Sequence, residues 1–130
     1  MKILVGYRGA NVGKDLLDLA IKHAKAFDGE VHLLTSLPGG SKTTGESIDE
    51  AKNNLAWAGS YLEDQGVKHD THLLIVGNSP GEDLIAFARE EGCDEIIIGI
   101  KSRSKVGKIL FGSTAQYVIL KATCPVVSVR

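Results

Sequence analysis

"EIIIGIKSRSKVGKILFGST", residues 95–114, decides the fold. The apolar run Ile96-Ile97-Ile98 reads as a strand ending at Gly99, and Ser113 opens a stretch of helical spacing that runs to Ala122. A last strand, Pro125–Val129, closes the chain. Upstream, Pro80–Glu91 reads as a helix with Pro near its first turn and Gly92 beyond its end. His69–Val76 is a strand. A long helix from about Glu46 to Gln65 carries Ile48, Ala51, Leu55, Ala58 and Leu62 on one side and stops at Gly66. Before it lie the loop 37–45, rich in Pro, Gly, Ser and Thr, and the strand Glu30–Ser36. Lys14–Phe27 has one apolar helix face, and Lys2–Tyr7 is the first strand.

Strands that alternate with helices of this length form parallel pairs through right-handed crossovers, with helices on both faces of one sheet. The fold class is therefore α/β, an open, doubly wound parallel sheet of five strands, in order 2-1-3-4-5 or 3-2-1-4-5. In either order strand 1 borders the point where the winding reverses, and ligands bind there beyond the carboxyl ends of the strands. In the second order strand 4 is its partner, which brings the loop Gly6-Tyr7-Arg8-Gly9 to face the basic segment.

At 130 residues the chain is expected to form a single domain, 1–130, large enough to bury one core. No apolar run approaches the roughly 18 residues of a membrane span. Met1–Tyr7 has one Lys and too short an apolar segment for a secretory signal, so a cytoplasmic location is expected. Cys93 and Cys124 lack metal-type spacing and read as buried thiols. A net charge of -1 gives no bulk affinity for nucleic acid or membrane. That average conceals an asymmetry, since residues 96–130 carry +6 with no Asp or Glu and residues 1–95 carry -7.

Most of that positive charge falls in the quoted stretch, on Lys101, Arg103, Lys105 and Lys108. A Gly at a strand end allows close backbone approach to a ligand, and Gly112 just before a helix lets free N–H groups point at an anion. Ser113 and Thr114 add hydroxyl donors, and the loop cations supply counter-charge. These residue types in this order outline a phosphate site.

The sequences "ILVGYRG" (3–9), "EVHLLTSL" (30–37) and "FGSTAQYVILKATCPVVSVR" (111–130), with the order of elements, resemble the universal stress protein family over essentially the whole chain. The resemblance implies the 3-2-1-4-5 sheet and a homodimer paired through the last strand, Pro125–Val129. It also implies an adenine nucleotide, foremost ATP, bound at the ends of strands 1 and 4 as a regulatory switch acting on a protein partner. The family motif G-x2-G-x9-G-[ST] is matched by Gly99, Gly112 and Ser113, with Ser102 in place of the second glycine. Gly99, Lys101, Ser102, Arg103, Lys105, Gly112, Ser113 and Thr114 would then hold phosphate and ribose. Gly6, Tyr7 and Ser36 would lie near the base. Arg8 stands where nucleotide-binding members carry an Asp. An Arg can contact phosphate or stack on adenine, but it cannot help to hold Mg²⁺, which counts against that ion as a cofactor.

Other constellations carry less. "GANVGKD", 9–15, has three residues between its glycines and Asp after Lys, so it is not a P-loop. A cap for helix 1 is expected at Asn11 or its neighbours. His69 and His72 lie an odd number apart on a strand and face opposite ways, so they cannot share a metal, and no metal site is expected. No catalytic residue is expected either. The crevice loops offer no general base, so any nucleotide hydrolysis should be slow. Glu82, Asp83 and Glu90 read as a solvated helix face, and Trp57 as packing at a helix edge or marking a contact surface. An interaction scaffold without nucleotide and a slow nucleotide hydrolase are the alternative functions.

Overall fold

The computed structural model describes residues 1–40, 43–75, 78–100 and 112–130, apart from the side chains of 10–12. Among the described residues nine elements follow one another: β1 (Lys2–Gly6), α1 (Ala10–Phe27), β2 (Glu30–Leu37), α2 (Gly45–Asp64), β3 (His69–Ile75), α3 (Pro80–Glu91), β4 (Glu95–Gly99), α4 (Ser113–Lys121) and β5 (Val126–Val129). All pairings are parallel, in the order β3-β2-β1-β4-β5. This is the second of the two orders that the alternation allows. β1 and β4 sit side by side with Leu4 opposite Ile96, so the winding reverses between them.

Strand residues alternate between two cores. Ile3, Val5, Val31, Leu33 and Ile97 pack with Leu17 of α1 and Leu55 and Leu62 of α2. Leu4, Leu34, Ile96 and Ile98 face Leu84 and Ile85 of α3 and Val118 of α4. Because both faces are covered, Ile3, Leu4, Val5, Ile96 and Ile97 are wholly buried, which is why these strands read as unbroken apolar runs. Cys93 lies in the second core and burial pushes its thiol up to about 11, whereas Cys124 is only half-buried. No described helix is long and apolar enough to cross a membrane.

Two helices start on side-chain caps. In α3, Ser79 accepts from the Glu82 N–H while Glu82 reaches back to the Ser79 N–H, and Pro80 occupies the first turn. In α2, Thr44 and Ser47 make the same reciprocal pair. The other two helices start differently. α1 begins at Ala10, four residues before the sequence pattern suggests, with Gly9 as its N-cap and no side-chain acceptor. Asn11 therefore lies inside the helix and is not its cap. Gly9 adopts φ 155°, ψ 169°, a region open essentially to glycine alone. Gly13, inside α1, lies so close to the ring of Tyr7 that a Cβ there would overlap ring carbon Cε1.

One other expectation changes, and two gain detail. Asp83 is 4% exposed and not on a solvated face, because α3 turns it onto the sheet, where it accepts from Ser36. Trp57 is 43% exposed and stacks on Tyr61, one turn on along α2, with ring centroids 5.4 Å apart. His69 and His72 do point to opposite faces, towards Gly59 of α2 and Phe87 of α3, but His72 meets His32 across the sheet at 3.1 Å.

Candidate functional site

The carboxyl ends of β1 and β4 are built from chain that leaves the sheet under restraint. After Gly6, the Tyr7 N–H donates to Leu34 O at 3.0 Å, and the buried Thr35 hydroxyl donates to Tyr7 O at 2.7 Å. These bonds extend the strand by one residue and leave Tyr7 1% exposed with its ring against Gly13. Burial raises the Tyr7 pKa, so its phenol stays neutral, and its hydroxyl has no hydrogen-bond partner among the described residues. Arg8 then turns out to solvent, and Gly9 starts α1. On the other side the Ile100 N–H donates to Val129 O at 2.9 Å, holding the end of β4 to β5.

α4 enters from Gly112, with no side-chain cap. Its first internal bond is from Gln116 N–H to Gly112 O, so the N–H groups of Ser113, Thr114 and Ala115 have no acceptor within the helix. Gly112 has φ -67° and ψ 162°, which any residue can adopt. Gly112 sets no Cβ beside those three N–H groups, at a helix end whose Gly112, Ser113 and Thr114 line a cavity. These N–H groups and the helix dipole give this end a partial positive charge.

Between these ends lies a cavity of about 760 Å³. Gly6, Tyr7, Arg8, Ser36, Gly99, Gly112, Ser113 and Thr114 all line it. The structure thus brings together every described residue of the site expected from sequence. Lys101, Ser102, Arg103, Lys105 and Lys108 lie outside the described residues. Ser36 is oriented by Asp83, to which its hydroxyl donates.

Several lining residues were not expected. Leu34, Leu84 and Ile98 give the cavity an apolar wall, and Arg130 joins it from the end of β5. Lys14 and Asp15 line it from α1, so among the described residues the wall holds one acidic side chain, against the cations Arg8, Lys14 and Arg130. The sequence signal was "GKD" at 13–15, which fails as a P-loop but lies near the amino end of α1, the helix that brings Lys14 and Asp15 to the crevice. Chemically the arrangement suits a ligand with a flat apolar part and an anionic part. The walls take the first, and the amino end of α4 with its neighbouring cations takes the second.

Comparison with known proteins gives a consistent answer. The family model described as the universal stress protein family matches residues 1–130. A universal stress protein of Methanocaldococcus jannaschii is 30% identical, over 99% of this chain and 81% of its own length. A universal stress protein of Archaeoglobus fulgidus superposes with a TM-score of 0.92 at 39% identity, covering all of this chain and 98% of that one. A structure of the universal stress protein from the same organism in complex with dAMP gives a TM-score of 0.85 at 36% identity, with the same coverage.

Proposed function

The chain belongs to the universal stress protein family, and from that premise we propose that it binds an adenine nucleotide at the switch between β1 and β4 and works as a regulatory sensor. The observation that carries this reading is the uncapped amino end of α4, open to a cavity that also has an apolar wall. The bound dAMP in the relative at 36% identity supports the same ligand class. In this reading Gly99, Ser102, Gly112, Ser113 and Thr114 hold phosphate and ribose. Gly6, Tyr7 and Ser36 border the base. Arg8, Lys101, Arg103 and Lys105 supply counter-charge, together with Lys14 and Arg130. So many cations favour ATP over a monophosphate. Hydrolysis would be weak, since Asp15 is the one acidic side chain among the described lining residues, and three cations, Arg8, Lys14 and Arg130, share that wall.

We further place residues 1–130 in one cytoplasmic domain that pairs with a second copy along β5. That strand is an edge of the sheet, and the helix leading into it exposes Ile119 and Leu120. Occupancy would then be read by a partner protein through the basic segment 100–111 or the dimer.

The test is to denature the protein as purified, identify any nucleotide released, and titrate ATP, ADP, AMP and cyclic AMP into stripped protein by calorimetry. Val fits the backbone angles of Gly112, so Gly112→Val should keep the fold by circular dichroism while affinity falls by about tenfold or more. Unchanged affinity in this variant would remove the α4 end from the site. A protein that binds none of the four would be an interaction scaffold instead.

A further inference from the structure

Towards the β3 edge of the sheet, β2 and β3 bring three metal-ligand side chains together. The register sets His32 opposite Asp70 and Leu34 opposite His72. The two-residue period then puts His32, Asp70 and His72 on one face of the sheet. That face looks towards α3, where the Phe87 ring lies 5.9 Å from the His32 ring and 4.6 Å from the His72 ring, centroid to centroid. We propose that His32, Asp70 and His72 form a binding site for one divalent transition-metal ion, Zn²⁺ by preference, that ties edge strand β3 to β2.

Three observations support the assignment. First, His32 Nδ1 and His72 Nε2 are 3.1 Å apart, and one ligand atom from each of the three residues lies within 4.8 Å of the others. Two nitrogens bound to a tetrahedral ion at 2.0–2.1 Å stand about 3.3 Å apart, so the pair is already at chelating distance. Coordination asks both lone pairs to turn from each other towards Asp70. Second, His32 Nε2 is buried without a hydrogen-bond partner among the described residues, and the Glu30 carboxylate lies 3.8 Å from it. When Nδ1 holds a metal, the proton moves to Nε2 and faces that carboxylate, the usual arrangement behind a histidine ligand. Third, Asp70 is exposed, so water can reach the remaining coordination position. Two imidazoles with one carboxylate suit Zn²⁺, whereas Mg²⁺ and Ca²⁺ prefer all-oxygen sites.

The test titrates ZnCl₂ into chelator-stripped full-length protein by calorimetry, with MgCl₂ in parallel, and follows thermal unfolding. One Zn²⁺ per chain should bind and raise Tm, and Mg²⁺ should not compete. His72→Gln should abolish the binding. Asp70→Asn, at an exposed position that leaves packing untouched, should weaken it by about tenfold and lower the Tm gain. ATP affinity should not change in either variant. Zn²⁺ that bound Asp70→Asn and His72→Gln as tightly as the unaltered chain, or no Zn²⁺ binding at micromolar concentration, would overturn the site.

Discussion

Gly13 shows how one missing side chain shapes the crevice. Glycine in a helix costs about 1 kcal/mol relative to alanine, so propensity alone favours Gly13→Ala. The Tyr7 ring occupies the space that a Cβ would need, and overpacking typically costs about 1–3 kcal/mol. The close contact should win, and urea denaturation of Gly13→Ala should show a net loss of up to about 2 kcal/mol. A gain in stability would mean that the Tyr7 ring is free to move aside. At this scale the strand-end and helix-end residues of the site were legible, because Gly99, Gly112 and Ser113 keep a fixed spacing. Asp83 was not, since a carboxylate on a helix reads as solvated until the sheet shows Ser36 beside it. Asp15 was missed for a related reason. Its neighbours "GANVG" have the composition of a loop, and packing on Tyr7 overrides that weak helix propensity.

The four helices divide by how they begin. α2 and α3 have reciprocal side-chain caps, while α1 and α4 start on glycines without one. Three helices border the cavity, α1 and α4 with uncapped ends and α3, through Pro80 and Leu84, with a capped one. Losing a cap costs about 1 kcal/mol, so Ser79→Ala should lower stability by that amount in thermal or urea unfolding, with faster amide exchange in the first turn of α3. Nucleotide affinity should be nearly unchanged, and a large loss of it would tie the α3 end to the ligand. Element type and order were legible from periodicity, and α3 and β4 kept their expected bounds. The strand order was not fixed by periodicity, because alternation permits either side for the first crossover. The His32–His72 contact was also hidden, since parity within a strand says nothing about the neighbour that the register supplies.

For the whole molecule, the sheet has two edges of unlike character. β3 carries charged and polar residues, His69, Asp70, Thr71 and His72, in its first half. β5 is four residues of Val and Ser, and it follows a helix that leaves Leu120 79% exposed. Leu120→Glu puts a charge on the proposed contact without touching either core. Light scattering should find monomer where the unaltered chain gives dimer, with the same unfolding midpoint at low concentration. A dimer that persists in this variant would move the contact away from α4 and β5.

The order of the strands also bears on how the chain is made. β1, β2 and β3 find their neighbours within the first 75 residues, and their ladder between β2 and β3 runs the full length from Val31↔His69 to Leu37↔Ile75. β4 reaches β1 only once residue 95 is out, along the short ladder from Ile3↔Glu95 to Val5↔Ile97. Chains fold from the amino terminus as they emerge, so the free edge of β1 waits for the last third of the protein. The cavity opens over that late seam, with Gly6 on one bank and Gly112 on the other. A ligand that needs both banks binds only the closed seam and stabilises it by mass action. Its concentration in the cell would thus govern how long a newly made chain keeps its last two strands docked.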